Sequence, residues 1–122
     1  MSPDRYEPQR GEWRDFLDLV TKEHEGDAVS IEVADTEYGD QFEAEQMPFA
    51  YLEYDDKDDA VNVGVGGKDS RYPVVLRHAI EHPKAILVDP PAPNAARALD
   101  IVSDDANTIV SLHRRPALPP PD

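Results

Sequence analysis

Two histidines and a glutamate in one short segment form the most specific chemical motif of the sequence. His78, Glu81 and His82 match H-x-x-E-H, a pattern that in one class of zinc proteases places two imidazoles and a glutamate around one metal ion. That chemistry needs both imidazoles on one face of a helix. The residues before the motif favour a strand, and Pro83 directly after it disfavours helical backbone at His82. In a strand the two imidazoles lie about 13 Å apart, too far for one metal ion. We therefore expect strand-end histidines.

Two further segments match ligand-binding motifs only in part. Residues 64–70 (GVGGKDS) contain a Gly-Lys pair, but Asp69 stands where a phosphate-binding loop needs a hydroxyl residue, and no helix is expected to follow. Residues 55–59 (DDKDD) lack the glycine and the distal glutamate of a calcium-binding loop. We interpret the first as a hairpin loop and the second as an acidic turn.

Nucleophilic catalysis has no recognisable motif in the chain. None of the serines lies in G-x-S-x-G. The absence of cysteine excludes disulfides, thiolate metal sites and cysteine nucleophiles. His24 and His113 stand alone in the sequence, and we interpret them as helix-end or surface residues rather than bases. The sequence therefore assigns no catalytic, cofactor-binding or metal-binding residue.

One amphipathic helix is expected to organise the fold. In residues 11–25 (GEWRDFLDLVTKEHE), apolar side chains recur at the helical spacing i, i+3, i+4 and i+7. These side chains are Trp13, Phe16, Leu17 and Val20. Gly26 follows where a left-handed cap residue is expected. We predict that the rest of the chain covers this stripe.

Short strands separated by turns account for the remainder of the chain. Alternation and turn residues predict strands at 28–34, 41–47, 49–54, 60–66, 74–80, 84–89, 96–103 and 108–113. The first two should form a hairpin with Phe42 and Ala44 facing inward, and the next two a second hairpin, with Pro48 as the bend between them. One helix and about seven or eight short strands indicate the α+β class. The strands form an antiparallel meander that either stays open or curls toward a barrel.

Length and charge restrict the domain organisation and the partners. The 122 residues fit one domain. We divide the chain into an extended lead-in over 1–10, a single α+β domain over 11–113 and a Pro-rich tail over 114–122. The formal net charge of -14 repels nucleic acid and anionic membranes, whereas it suits a basic protein partner. Without a transmembrane or signal-peptide pattern, we expect a soluble, cytoplasmic protein.

Several short segments, taken in order, carry a family resemblance. They are Glu12-Trp13 with Phe16-Leu17, His24-Glu25-Gly26 before residues 29–33, Met47-Pro48, His78-x-Ile80-x-x-Pro83 before residues 86–88, Leu99-Asp100-Ile101, and residues 108–112. Their order and spacing resemble a family of short bacterial proteins catalogued as a domain of unknown function (number 5335 of that series), over about residues 10–113. The resemblance implies no assigned activity, cofactor or site residue.

These observations favour a small, soluble, non-enzymatic domain that acts through protein contacts with a basic partner. The missing catalytic motifs and the acidic segment 49–59 motivate this expectation. The first alternative is a small-molecule binding module with a pocket lined by Trp13, Phe49, Tyr51 and Tyr54. The second is a metal-dependent hydrolase that uses the histidine motif described above.

Overall fold

The computed structural model describes residues 7–35, 37, 39–66, 74–89 and 96–114. These residues form a short 3-10 helix (Arg10–Glu12), one α-helix and seven strands. The elements are α1 (Trp13–Glu23), β1 (Ala28–Asp35), β2 (Gly39–Asp55), β3 (Ala60–Gly66), β4 (Val74–Glu81), β5 (Ala85–Asp89), β6 (Arg97–Val102) and β7 (Ala106–His113). In this part of the chain, no helix is long and apolar enough to cross a membrane.

Helix α1 forms where the apolar stripe predicted it. Trp13, Leu17 and Val20 are buried, and Phe16 packs against them partly buried. Gly26, with a φ of 87°, completes the reversal after the helix. The amphipathic helix and the left-handed conformation expected at Gly26 are confirmed, but the C-cap of the helix is His24, and Gly26 lies in the turn that the N–H of Asp27 closes on the carbonyl oxygen of His24. The α-helix is shorter than the predicted range 11–25, because residues 10–12 form the 3-10 helix and residues 24–26 form a turn.

The seven strands form one antiparallel sheet in the order β4-β3-β2-β1-β7-β6-β5. Both predicted hairpins are confirmed, since β1 pairs with β2 and the second half of β2 pairs with β3. The last strand, β7, returns to the middle of the sheet and pairs with β1 and β6. Within the described ranges no ladder joins the edge strands β4 and β5, so the sheet is open. The α+β class is confirmed in outline, with most of the structure in the sheet.

Strand β2 replaces two strands of the prediction. Pro48, expected to form a bend, lies inside one continuous strand of 17 residues. It occupies the position where β2 changes partner: Pro48 is opposite Ala28 at the start of β1, whereas Phe49 is opposite Val65 in β3. A residue without an N–H is tolerated at the end of a ladder. The described sheet therefore has seven strands, not eight.

The orientation predicted for Phe42 is wrong. Ile31 is opposite Ala44 and Glu32 is opposite Phe42, so one step along β1 corresponds to two steps along β2. Such a bulge moves the following side chains to the other face of the sheet. Ala44 is buried as predicted, but Phe42 is 58% exposed.

The core joins α1 to one face of the sheet, which we refer to as the inner face. It contains apolar residues at largely alternating positions of the strands. They are Val29, Ile31, Ala44, Phe49, Leu52, Val61, Val63, Val65, Ile80, Ile86, Leu99, Ile101, Val110 and Leu112. The other face of the sheet, the outer face, carries the residues between them.

Candidate functional site

The residues of the H-x-x-E-H motif do not converge. His78 is opposite Val63 on the inner face and is half-buried. Glu81 is three residues further along β4, so its side chain lies on the outer face, where it is exposed. His82 follows the strand with a left-handed φ of 51°, and its Nδ1 lies 3.4 Å from Oδ2 of Asp59. The residues that the structure describes form no group of three or more His, Cys, Asp or Glu side chains able to hold a metal ion. The strand interpretation of the motif is confirmed.

The four aromatic rings expected to line a pocket do not surround one cavity. Trp13 and Phe49 are each 2% exposed and belong to the core. Tyr54 packs edge-on against Trp13, with ring centroids 5.2 Å apart. Tyr51 lies against Gly64, its cross-strand partner on the outer face. The rings are therefore divided between the core and the opposite face of the sheet.

The acidic residues 55–59 form a turn, as interpreted from the sequence. The Asp55 carboxylate accepts hydrogen bonds from the N–H groups of Lys57 (3.0 Å) and Asp58 (3.3 Å). The Asp56 carboxylate pairs with Arg14 at 2.9 Å. The turn thus uses its own carboxylates to hold its shape and to contact α1. The other partial motif, residues 64–70, lies mostly outside the described residues.

A hydrogen-bonded cluster around Asp59 connects three parts of the chain. Its Oδ1 accepts hydrogen bonds from the Tyr54 hydroxyl (2.8 Å) and from Nη1 of Arg10 (3.1 Å). Arg10 also donates from Nη2 to the carbonyl oxygen of Pro83 at 2.9 Å. The N–H of His82 donates to the carbonyl oxygen of Asp59 at 2.7 Å. We refer to Arg10, Tyr54, Asp59 and His82 as the Asp59 cluster.

The charged groups of the Asp59 cluster are hydrogen-bonded to one another and stabilise the fold. The hydrogen bond from Tyr54 is the main cause of the lowered pKa of Asp59, and the same bond raises the pKa of Tyr54. A shallow depression of about 480 Å³ lies beside the cluster, lined by Arg10, Gly11, Arg14, Asp15, Tyr54 and Asp56. Both arginines in it are paired with carboxylates. The cluster therefore holds the 3-10 helix, the β2–β3 connection and the β4–β5 connection together. The guanidinium of Arg10 and the carboxylate of Asp59 make these contacts.

The outer face of five adjacent strands, from β5 to the first half of β2, presents carboxylates between apolar side chains. The register aligns two rows of residues across these strands. The rows are Leu87, Asp100, Ile109, Glu32 and Phe42, and Ala85, Val102, Asn107, Ala34 and Asp40. We refer to these residues as the acidic sheet face. None of them is buried and none is basic.

Phe42 is the most exposed apolar part of the acidic sheet face. Its ring is 58% exposed, and Leu19 on α1, 52% exposed, is the other large apolar side chain exposed in the described part of the chain. Beside Phe42, Glu32 has a raised pKa, caused first by burial and then by its hydrogen bond and charge interaction with Asp40. An exposed ring next to two mutually repelling carboxylates suits a cationic group. Sequence reasoning missed this surface because it assigned Phe42 to the inner face.

Comparison with known proteins identifies a family. A family model described as "Family of unknown function (DUF5335)" matches residues 6–121. The chain belongs to this family. An uncharacterized protein of Aquifex aeolicus (strain VF5) is 32% identical to it over 111 residues, which is 91% of this chain and 92% of the relative. No solved structure matches the chain. The resemblance recognised in the sequence is confirmed, and neither the description of the DUF5335 family nor that of this relative names an activity.

Proposed function

We propose that this DUF5335 domain is a small, non-enzymatic module that binds a basic protein through its acidic sheet face. The observation that carries the proposal is the exposed Phe42 ring beside Glu32 and Asp40, among the ten described residues of the acidic sheet face, none of which is basic. Aromatic side chains supply much of the binding energy in protein interfaces, and surrounding charges determine which partner is accepted.

Charge supports a basic partner at two scales. The formal net charge of -14 attracts positively charged proteins over distances of about a Debye length, roughly 10 Å at moderate salt. Locally, burial raises the pKa of Glu32, and the hydrogen bond and charge of Asp40 raise it further. A lysine or arginine placed against this pair would replace a repulsion by two attractions.

The two alternative functions have less support from the geometry. A small-molecule pocket built on aromatic rings is disfavoured because Trp13 and Phe49 are part of the core. The surface depressions beside α1 are open and lined mainly by charged side chains. A metal-dependent hydrolase is disfavoured because His78 and Glu81 lie on opposite faces of β4.

Affinity capture with two matched surface variants tests the proposal. Wild-type protein, Phe42→Ser and Leu19→Ser are immobilised and incubated with an extract of the organism that encodes the chain, at about 50 mM and about 500 mM salt. We expect a basic protein that is captured at low salt, released at high salt, and reduced at least about tenfold by Phe42→Ser. Leu19→Ser is the control, because Leu19 is similarly exposed but lies on α1.

Two results would contradict the proposal. One is capture that Phe42→Ser and Leu19→Ser reduce to the same extent, since the acidic sheet face would then have no special role. The other is the absence of any protein whose retention depends on salt, since the charge of the face would then be unused.

A further inference from the structure

The first half of strand β2 pairs on one side only with the strands that the structure describes. Residues 39–48 pair with β1, and the ladder between β2 and β3 begins only at Phe49. An unpaired strand edge presents backbone N–H and C=O groups that can pair with another chain. The groups that point to this edge follow from the hydrogen-bond pattern of the sheet.

The turn between β6 and β7 sets this pattern. The N–H of Ser103 donates to the carbonyl oxygen of Ala106 at 3.0 Å and closes the turn. In an antiparallel ladder, hydrogen-bonded and non-hydrogen-bonded pairs alternate. The next pair, Val102 and Asn107, is therefore not hydrogen-bonded, and Asn107 directs its backbone groups away from β6 toward β1.

The same alternation continues across β1. Asn107 is opposite Ala34, so Ala34 directs its backbone groups to β7 and not to Asp40, its partner in β2. The N–H and C=O groups of Asp40 consequently point to the open edge. Phe42 lies two residues further along a regular part of the ladder, so its backbone groups point the same way.

The side chains along this edge indicate which strand could pair with it. Asp40, Glu43 and Glu45 are exposed, and residues 39–47 include no lysine or arginine. Two copies of the edge would bring carboxylates opposite carboxylates, which disfavours pairing between copies of this chain. A basic strand would instead place its cationic side chains beside these carboxylates.

We propose that an extended segment of a basic protein adds to the open edge of β2 at Asp40–Phe42 as an additional strand. This inference rests on the proposed function and specifies its partner: a segment in which lysine or arginine alternates with apolar residues. Main-chain hydrogen bonds to Asp40 and Phe42 fix the register, as in other cases of strand addition. The cationic side chains of the added strand then lie beside the Phe42 ring and the Asp40 carboxylate on the acidic sheet face, and its apolar side chains point to the other face.

A defined peptide tests the mode of binding. The probe is an end-capped peptide of about eight residues in which lysine and valine alternate, and its matched control has the same sequence with every backbone nitrogen methylated. Methylation keeps the charges but removes the hydrogen-bond donors. Binding to the full-length protein is measured by calorimetry, and hydrogen exchange of the Asp40 and Phe42 amides is followed by NMR.

We expect the unmethylated peptide to bind at least about tenfold more tightly than its control, and to slow exchange at Asp40 and Phe42. Equal affinity of the two peptides, or unchanged exchange at both amides, would overturn strand addition. Failure of both peptides to bind would overturn it as well. A concentration-dependent slowing of the same amides without peptide would assign the edge to a second copy of the chain and also overturn it.

The failure of this inference can be distinguished from failure of the proposed function. If both peptides bind equally and Phe42→Ser weakens both, the acidic sheet face binds basic ligands without strand addition. The opposite result is also possible: the capture experiment finds no partner, while the unmethylated peptide alone slows exchange at the two amides. The open edge then accepts an added strand, and the proposed function in binding a basic protein fails.

Discussion

Gly64 lies against the ring of Tyr51, its partner in the neighbouring strand β2. A Cβ atom added to Gly64 would lie 2.1 Å from Cε1 of Tyr51, much closer than two carbon atoms can approach. The Tyr51 ring therefore takes the place of a side chain at residue 64. Glycine at this position is required by packing, because its φ is not in the left-handed region.

We expect Gly64→Ala to destabilise the protein by about 1–3 kcal/mol, because the Tyr51 ring must move away from its position over β3. Gly11→Ala is the control, since nothing lies within 4 Å of a Cβ added there, and it should change stability by less than about 0.5 kcal/mol. Urea unfolding of the three proteins measures the difference. Equal stability of Gly64→Ala and wild type would show that the ring is free to move.

His78 should make stability depend on pH. Burial lowers the pKa of His78 below its ordinary value of 6.5, and the charge of Glu43 acts in the opposite direction. The unfolded chain therefore binds a proton at this residue more readily than the folded chain does. The contribution of neutral His78 to stability is present above pH 6.5 and is lost as the pH falls through the folded pKa.

His78→Gln tests this pH dependence, because glutamine does not titrate. We expect the free energy of unfolding of wild type to fall between about pH 7 and about pH 5, and that of the variant to fall less. Urea unfolding at several pH values in this range measures both slopes. Identical slopes would mean that His78 titrates alike in the folded and unfolded chain.

At the scale of elements, the sequence predicted what local periodicity determines. Helix α1 follows from the spacing of apolar residues within one segment, and the hairpin of β1 and β2 follows from alternation and turn residues. The bulge that turns Phe42 outward and the continuity of β2 through Pro48 depend on the strands beside them, which the local pattern does not contain. The acidic sheet face was missed for the same reason, because register between five strands creates it.

His24 shows the same limit at the end of α1. The sequence predicts a helix-end or surface residue, and His24 does follow the helix as its C-cap. It is only 2% exposed, however, and its Nδ1 lies 2.8 Å from Oδ2 of Asp27. The aspartate three residues later was a usable indication of this contact, but burial came from tertiary packing.

The hydroxyl group of Thr21 in α1 is a hydrogen-bond partner for the backbone of Leu52 in β2. Its hydroxyl accepts a hydrogen bond from the N–H of Leu52 at 2.9 Å and lies 2.9 Å from the carbonyl oxygens of Leu17 and Leu52. We expect Thr21→Val to cost about 1–3 kcal/mol, because it leaves the part-buried N–H of Leu52 without this partner. Thr21→Ser keeps the hydroxyl and should retain most of the stability in urea unfolding. A Thr21→Val protein as stable as Thr21→Ser would show that water replaces the hydroxyl.

At the scale of the whole molecule, the excess of carboxylates opposes folding while it favours a basic partner. A formal net charge of -14 on a chain of 122 residues produces repulsion that is stronger in the compact state than in the unfolded chain. Salt screens this repulsion. Salt also weakens the ion pairs Arg97–Glu23 and Arg14–Asp56, but these are at least partly exposed and contribute little to stability.

Salt should therefore stabilise the fold and weaken the proposed contact at the same time. We expect the free energy of unfolding to be higher at about 500 mM than at about 50 mM sodium chloride, measured by urea unfolding at both concentrations. These opposite effects of salt matter for the capture experiment. If the domain is more stable at high salt, a partner that is released there is released because the contact is lost, and not because the domain unfolds. A fold that became less stable in salt would remove that distinction, and it would mean that the ion pairs outweigh the repulsion among the carboxylates.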